Sequence, residues 1–413
     1  MSNKKPMKDR KKHILVISQY FYPEQFRIND ICGEWIKKGY EVTVITGIPN
    51  YPTGKYYQGY GLFKKRKEQY SGISIIRLPL IPRGNSAIML ALNYLSFVVS
   101  GFVWKTVTKI KANFVFIYEV SPMTQALPGI WYGKRRKIPC YLYVTDLWPE
   151  NVAIITGINN KVVIGAIGKM VDYIYRRCDM IFTSSRSFIQ SIQLRGVEKK
   201  RLAYWPQYAE DFYRQVELEK GMNLDAVIPQ DEALNIIFAG NVGRAQGLEI
   251  LPGVAKILKN KDLKVRFNIV GDGRYKDDLL DLVKKLKVDE MFNFINKQPP
   301  EEIPYYMAMS DVALISLAKS EVFALTIPAK TQSCLACGIP IIVSADGEIQ
   351  SIIKEAEAGL CSDAGDSNGL ARIIERFCTF TKAELLAMGE NGKKYSENNF
   401  AKEMLLNQMD EYF

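Results

Sequence analysis

Three loops in the second half of the chain carry the residues best suited to chemistry. "FAGNVGRAQG" follows an apolar run and precedes the helical "LEILPGVAKIL", so Gly240, Gly243 and Gly247 fall where a strand turns into a helix. Glycines there let phosphate oxygens approach main-chain N–H groups and a helix N-terminus. The same glycines also serve an ordinary tight turn. "IVGDGRYKDDLL" repeats the arrangement: Gly271 and Gly273 would let a flat base or ribose lie against backbone, while Asp272 could instead cap the helix. Two such loops close together point to a nucleotide site. In "TIPAKTQSCLACGIPII", Pro328 suits the first turn of a helix, so Ala329, Lys330 and Thr331 would carry free N–H groups on which a diphosphate could dock. Lys330 would add a point charge, and Gln332 or Ser333 could hydrogen-bond a ribose hydroxyl. The plain alternative is a helix whose Cys334 and Leu335 pack in a core.

Two loops in the first half complete the set. "TGIPNYPTGKYYQGYG" is rich in aromatic and hydroxyl side chains, and its Asn50, Tyr51 and Thr53 suit recognition of a sugar or lipid-linked sugar; its prolines could also merely stiffen it. "VTDLWPENV" places Asp146 and Glu150 near the carboxyl end of a strand, as acid or base candidates. Asp146 as a helix N-cap is the competing role.

These loops need strands and helices to hold them. "HILVISQYF", "YEVTVITG", "ANFVFIYE", "CYLYVTDLW" and "DMIFTSS" are short apolar runs separated by helix-like stretches, the rhythm of a parallel sheet with crossover helices. "LNIIFAGNVG" restarts it, followed by "VRFNIVGDG", "MFNFINKQ", "DVALISL", "IPIIVS" and "AGLCS". In open sheets of this kind ligands sit beyond the carboxyl ends of the strands, where the loops above fall. The expected organisation is α/β with two parallel-sheet domains, residues 1–213 and 214–395, joined through the aromatic "YWPQYAEDFYRQ". A final helix, 396–413, is expected to pack back on the first domain by fold analogy.

"SAIMLALNYLSFVVSGFVW", residues 86–104, is about as long as a bilayer span. It reads as a buried crossover helix, as a helix lying in a membrane surface, or as a true span, which would split the first sheet across a membrane. The nearby "KKRK", residues 64–67, suits either anionic headgroups or a solvated loop.

The chain of 413 residues is longer than one hydrophobic core usually spans. Its 55 Lys+Arg against 44 Asp+Glu give a formal charge of +11, which invites an anionic partner. No basic-aromatic module favours nucleic acid. Seven scattered cysteines fit a reducing cytosol rather than a disulfide framework. Cys334 and Cys337 form a C-x-x-C, but with one histidine, His13, and no second pair, no metal site is expected. The basic start, "MSNKKPMKDRKK", leads into a strand-like run too short for a signal peptide and reads as a solvated tail.

"FAGNVGRAQGLE", "IVGDGRYKDDL" and "IPAKTQSCLACGIPIIVSADGE", with "GIPNYPTG" and "DLWPEN", resemble bacterial glycosyltransferases of family 4, of the glycosyltransferase B fold, over nearly the whole chain. The nearest likeness is to the branch building O-antigen and capsule on lipid carriers, including transferases of N-acetyl-L-fucosamine. The resemblance implies two Rossmann-like domains facing a cleft, a nucleotide-sugar held mainly by the second and the acceptor mainly by the first, with no metal or helper cofactor. By position, Asn241 and Gln246 stand where many relatives place Arg and Lys on the diphosphate, and Leu325 and Ser333 where many place glutamates. Arg244 and Lys330 could replace the lost positive charge, and Glu321 or Glu348 could supply a carboxylate. The family's usual histidine has no counterpart, which leaves Asp146 and Glu150 as acid or base candidates. The expected partners are a UDP-sugar, a polyprenyl-diphosphate-linked saccharide and an anionic membrane surface, with the protein peripheral on its cytoplasmic face.

Overall fold

The computed structural model describes residues 11–84, 86–152, 157, 160–218 and 227–413. Of the basic start, Lys11 and Lys12 are exposed and the rest lies outside the described residues. Contacts divide the chain into two compact units, between Trp205 and Pro206.

The first unit is an eight-stranded sheet: β1 (His13–Ile17), β2 (Glu41–Gly47), β3 (Lys67–Tyr70), β4 (Ile73–Leu78), β5 (Phe114–Glu119), β6 (Cys140–Val144), β7 (Met180–Thr183) and β8 (Leu202–Tyr204). The order is β3-β4-β2-β1-β5-β6-β7-β8, parallel except where β3 pairs antiparallel with β4. Every residue of β1 and β5 is buried, as expected of strands covered on both faces. Strands β3, β4 and β8 were not anticipated from the sequence. Strand β3, "KEQY", is a charged edge strand, β4 alternates buried and half-buried residues before its last pair, and β8 has only three residues.

Segment 86–104 is the crossover between β4 and β5. Helix α1 (Arg27–Lys37) follows β1, and helix α2 (Ala87–Val107) opens on Ser86, whose hydroxyl accepts from the Met89 N–H at 3.2 Å. Its Leu90, Asn93, Tyr94, Phe97, Gly101 and Trp104 form one buried stripe. Gly101 lies against Pro128, where a Cβ would come within 2.2 Å of the ring. Trp104 stacks on Tyr132 at 5.4 Å and Phe102 meets Trp131 edge-on at 5.5 Å. A true span would lose these contacts. The opposite face is also apolar: Ile88, Leu92, Leu95, Val99, Phe102, Val103 and Val107 are exposed. Among the described residues this is the one helix long and apolar enough to cross a membrane.

The second unit is a parallel sheet of β9 (Leu234–Ala239), β10 (Val265–Val270), β11 (Phe292–Ile295), β12 (Val312–Ser316), β13 (Ile341–Ser344) and β14 (Gly359–Ser362), ordered β11-β10-β9-β12-β13-β14. All six were legible as apolar runs. Successive residues enter opposite cores: Ile237, Ile315 and Val343 on one face, Ile236, Phe238, Leu314 and Ile342 on the other. The strand order reverses beside β9, so the loops after β9, β10 and β12 lie where doubly wound sheets bind ligands.

Candidate functional site

In the second unit the two glycine loops press on each other. Gly240 and Gly271 have φ of 143° and 152°, which side-chain-bearing residues rarely adopt, and a Cβ on Gly271 would sit 1.9 Å from the Gly240 carbonyl oxygen. A Cβ on Gly273 would lie 2.2 Å from the Val242 oxygen. The Gly240 N–H donates to Val270 and the Val242 N–H to Asp272, both at 2.9 Å, so the loops form one layer. Asp272 accepts from the Gly273 N–H at 2.8 Å, closing its own turn.

Lys330 reaches into this layer. Its Nζ donates to Gln246 Oε1 at 2.6 Å, stands 3.9 Å from the centre of the Phe238 ring, and would lie 3.6 Å from a Cβ on Gly240. The residue is partly exposed while its amine is enclosed, and burial lowers the amine from 10.5 to about 8. Gln246 therefore orients a cation supplied by another element. Arg244 is exposed, pairs with Asp278 at 2.8 Å and lies over the Tyr275 ring at 5.1 Å. Asn241 is exposed on the same loop.

The polar lip expected after Lys330 is different in the structure. The helix Lys330–Ala336 has seven residues, Ala329 before it is exposed, and the Thr331 N–H already donates to the Pro328 carbonyl at 2.8 Å. Thr331, Gln332 and Ser333 are buried, because this short crossover faces the core rather than solvent. Thr331 Oγ1 and Gln332 Oε1 are buried with no hydrogen-bond partner, as are Ser316 Oγ and Ser344 Oγ at the carboxyl ends of β12 and β13. Cys334 and Cys337 are free, buried thiols pushed up by burial, the first to about 12, and Cys334 packs in a core. Among the described residues no group of three or more His, Cys, Asp or Glu side chains is placed to hold a metal.

Glu321 and Glu348 lie on touching elements. Glu321 opens the helix Glu321–Ala324 after β12, and Glu348 opens the helix Glu348–Glu355 after β13. Gly347, at φ 88°, lets the second approach the first, since a Cβ there would be 1.8 Å from the Ala324 oxygen. Both carboxylates thus belong to the carboxyl-end side of the sheet.

In the first unit, Asp146 follows β6. Its Oδ2 accepts from the N–H and hydroxyl of Ser121 at 2.8 and 2.7 Å, and that hydroxyl also accepts from Trp148 Nε1 at 3.0 Å. The carboxylate thus orders the loop after β5. Glu150 has a buried Oε2 with no partner. Sequence reasoning missed Glu119, the last residue of β5. It is fully buried, and burial, with the Asp146 charge adding, pushes its carboxyl well above the usual range. A carboxylate closing the run "FVFIYE" was the available signal.

Asn50, expected at the acceptor, is turned inward. It is fully buried: its Nδ2 donates to Ile48 at 2.8 Å and its Oδ1 accepts from the Arg83 N–H at 2.9 Å. Glu24 Oε1 holds the same loop, accepting from the N–H groups of Asn50 at 2.8 Å and Tyr51 at 2.7 Å. Tyr51 and Thr53 remain exposed. His13 is at the amino end of β1, its Nε2 2.9 Å from the Thr43 hydroxyl, away from these loops. In "KKRK", Arg66 is tied to the carbonyls of Arg77 and Leu62 and Lys65 lies over Tyr60, while Lys64, Lys65 and Lys67 are exposed.

Residues 225–395 match the family model described as Glycosyl transferases group 1. A relative in Escherichia coli (strain K12), whose name assigns it to colanic acid biosynthesis as glycosyl transferase WcaI, is 24% identical over 96% of this chain and 98% of its own. The "Probable glycosyltransferase WbjE" of Pseudomonas aeruginosa is 26% identical over 63% of this chain and 64% of its own. Among solved structures, HepE of Anabaena in complex with UDP and glucose superposes with a TM-score of 0.72, at 14% identity, over 97% of this chain and 99% of that one. The fold is the glycosyltransferase B type.

Proposed function

For this chain, a glycosyltransferase with a group 1 domain over residues 225–395, we propose transfer of an amino-deoxy sugar from a UDP-sugar to a polyprenyl-diphosphate-linked saccharide in surface polysaccharide synthesis. N-acetyl-L-fucosamine is the sugar suggested by the sequence resemblance. The observation that carries the donor half is the enclosed Lys330 amine on the paired glycine loops. The loops offer backbone to the nucleotide, and Lys330 offers charge to its diphosphate. That HepE was solved with UDP supports the choice of base. Glu321 and Glu348 are assigned to the donor sugar.

Asp146 is the proposed base for the acceptor hydroxyl, oriented by Ser121, with Glu150 the runner-up because one of its oxygens is buried. The leaving diphosphate can take the proton instead if the site stabilises its charge. The outward apolar face of α2 supports a lipid-linked acceptor and peripheral attachment at the cytoplasmic face of the membrane.

The test is a turnover screen of the purified chain against UDP-, GDP- and dTDP-sugars, with a polyprenyl-diphosphate saccharide as acceptor and products read by mass spectrometry. Transfer from a UDP-sugar alone is expected. No turnover with any donor would reduce the chain to a binding subunit, and transfer only to soluble acceptors would remove the lipid.

A further inference from the structure

In the first unit, in the segment between β4 and α2, Arg83 forms no ion pair with a carboxylate among the described residues. By contrast, Arg77 pairs with Glu68 at 2.6 Å and Arg195 with Asp172 at 2.8 Å. Arg83 is half-buried and held by its backbone N–H on Asn50; its Nη1 lies 3.5 Å from the Tyr20 hydroxyl and its guanidinium 5.3 Å from the centre of the Tyr51 ring. Its charge also acts on Tyr94, on the buried stripe of α2. Tyr94 is 6% exposed, and its hydroxyl is buried without a hydrogen-bond partner. Burial keeps that hydroxyl protonated, raising it to about 12, so it is a donor in want of an acceptor.

A guanidinium outside any ion pair and an unpaired phenol donor together suit a multivalent oxyanion. Their place in the fold narrows its identity. Arg83 lies three residues before Ser86, the cap of α2, whose outward face is apolar from Ile88 to Val107. An anion there sits at the polar end of a surface suited to a hydrocarbon chain.

We propose that Arg83, Tyr94 and the ring of Tyr51 form a binding site for the diphosphate of the lipid-linked acceptor. The inference rests on the acceptor class proposed above and adds the residues that recognise its charged head. Buried Asn50 acquires a role here, fixing the backbone of Arg83.

The experiment measures binding of the full chain to phosphatidylcholine vesicles carrying a few per cent geranylgeranyl diphosphate, to vesicles without it, and to free inorganic diphosphate. Saturating UDP is present throughout to occupy the donor site. Arg83→Gln should weaken binding to the diphosphate vesicles roughly tenfold and Tyr94→Phe by less. Arg83→Lys should retain part of the affinity, and thermal unfolding shows that each variant is folded. Binding to plain vesicles should not change. Undiminished binding by folded Arg83→Gln overturns the site. Equal affinity for free diphosphate and for the vesicles assigns it to a soluble phosphate and overturns the lipid. UDP affinity is measured separately: its absence in the wild-type chain would sink the donor reading without touching the result at Arg83.

Discussion

Lys330 sets its amine on the paired glycine loops, against Gln246. The sequence singled it out by position, but its partner could not be read there, because Gln246 lies 84 residues away and meets it only through the fold. Its amine falls from 10.5 to about 8. Between those values the unfolded chain holds more protons than the folded one, so this group makes stability rise with pH across that window. An anionic donor favours the protonated amine and pulls the other way. Affinity for a UDP-sugar should therefore fall as pH climbs from 7 to 9, with proton uptake on binding. Lys330→Met should bind about tenfold more weakly at pH 7, the order expected for a lost charge-assisted hydrogen bond, and its affinity should be nearly flat with pH. Titration calorimetry in buffers of different ionisation enthalpy reads both quantities. Wild-type affinity for the donor in the variant would remove Lys330 from the site. Asp146→Asn should lower kcat by about a hundredfold or more with donor KM little changed, in a steady-state assay.

At the scale of elements, the loops are positioned by contacts between backbones. Glycines at 240 and 271 were legible as a phosphate-type pattern; that the two loops need each other was not, since it depends on β9 and β10 being neighbours. Gly271→Ala should cost roughly 2 kcal/mol or more in denaturant unfolding, from a Cβ 1.9 Å from the Gly240 oxygen at positive φ, and should weaken donor binding. Gly253→Ala is the control. It lies in the helix Leu251–Lys259 with nothing within 4 Å, and should stabilise by about 0.5–1 kcal/mol. In the first unit Glu24 ties the loop after β1 to the loop after β2. Burial raises its carboxyl to about 7 from 4.5, so the folded state holds more protons between those values and stability falls as pH rises through them. Glu24→Gln keeps an acceptor and cannot ionise. Its unfolding free energy should lose that slope between pH 4.5 and 7, as followed by urea titration at several pH values.

At the scale of the molecule, the alternation of strand and helix was enough to read two parallel-sheet units, because strands buried on both faces leave unbroken apolar runs. Edge strands leave no such mark, and β3 and β8 were missed for that reason; β4, an inner strand, was missed because half-buried positions interrupt its apolar run. Buried polar positions were equally opaque: Asn50, Thr331, Gln332 and Ser333 have the composition of a binding loop, and burial is decided by neighbours the sequence does not name. Helix α2 was legible as apolar all round but not as two faces with different tasks. Its inner stripe fixes it to α3 (Ala126–Arg136) and the sheet, while Leu95 and Val99 on the outer face are 57% and 63% exposed. A surface this apolar in a chain of charge +11 should bind anionic vesicles through both forces. Each outward Leu or Val, if buried in the acyl boundary, contributes up to about 1.5–3 kcal/mol. The Leu95→Glu/Val99→Glu variant should therefore lose co-sedimentation with phosphatidylglycerol vesicles while unfolding at the wild-type temperature, since neither side chain holds the core. Raising salt to about 0.5 M shortens the screening length to a few ångströms and should weaken only the charge-driven part of wild-type binding. Pelleting of the double variant at the wild-type level would show that the outer face of α2 does not meet the membrane, and would shift the attachment to the basic surface alone.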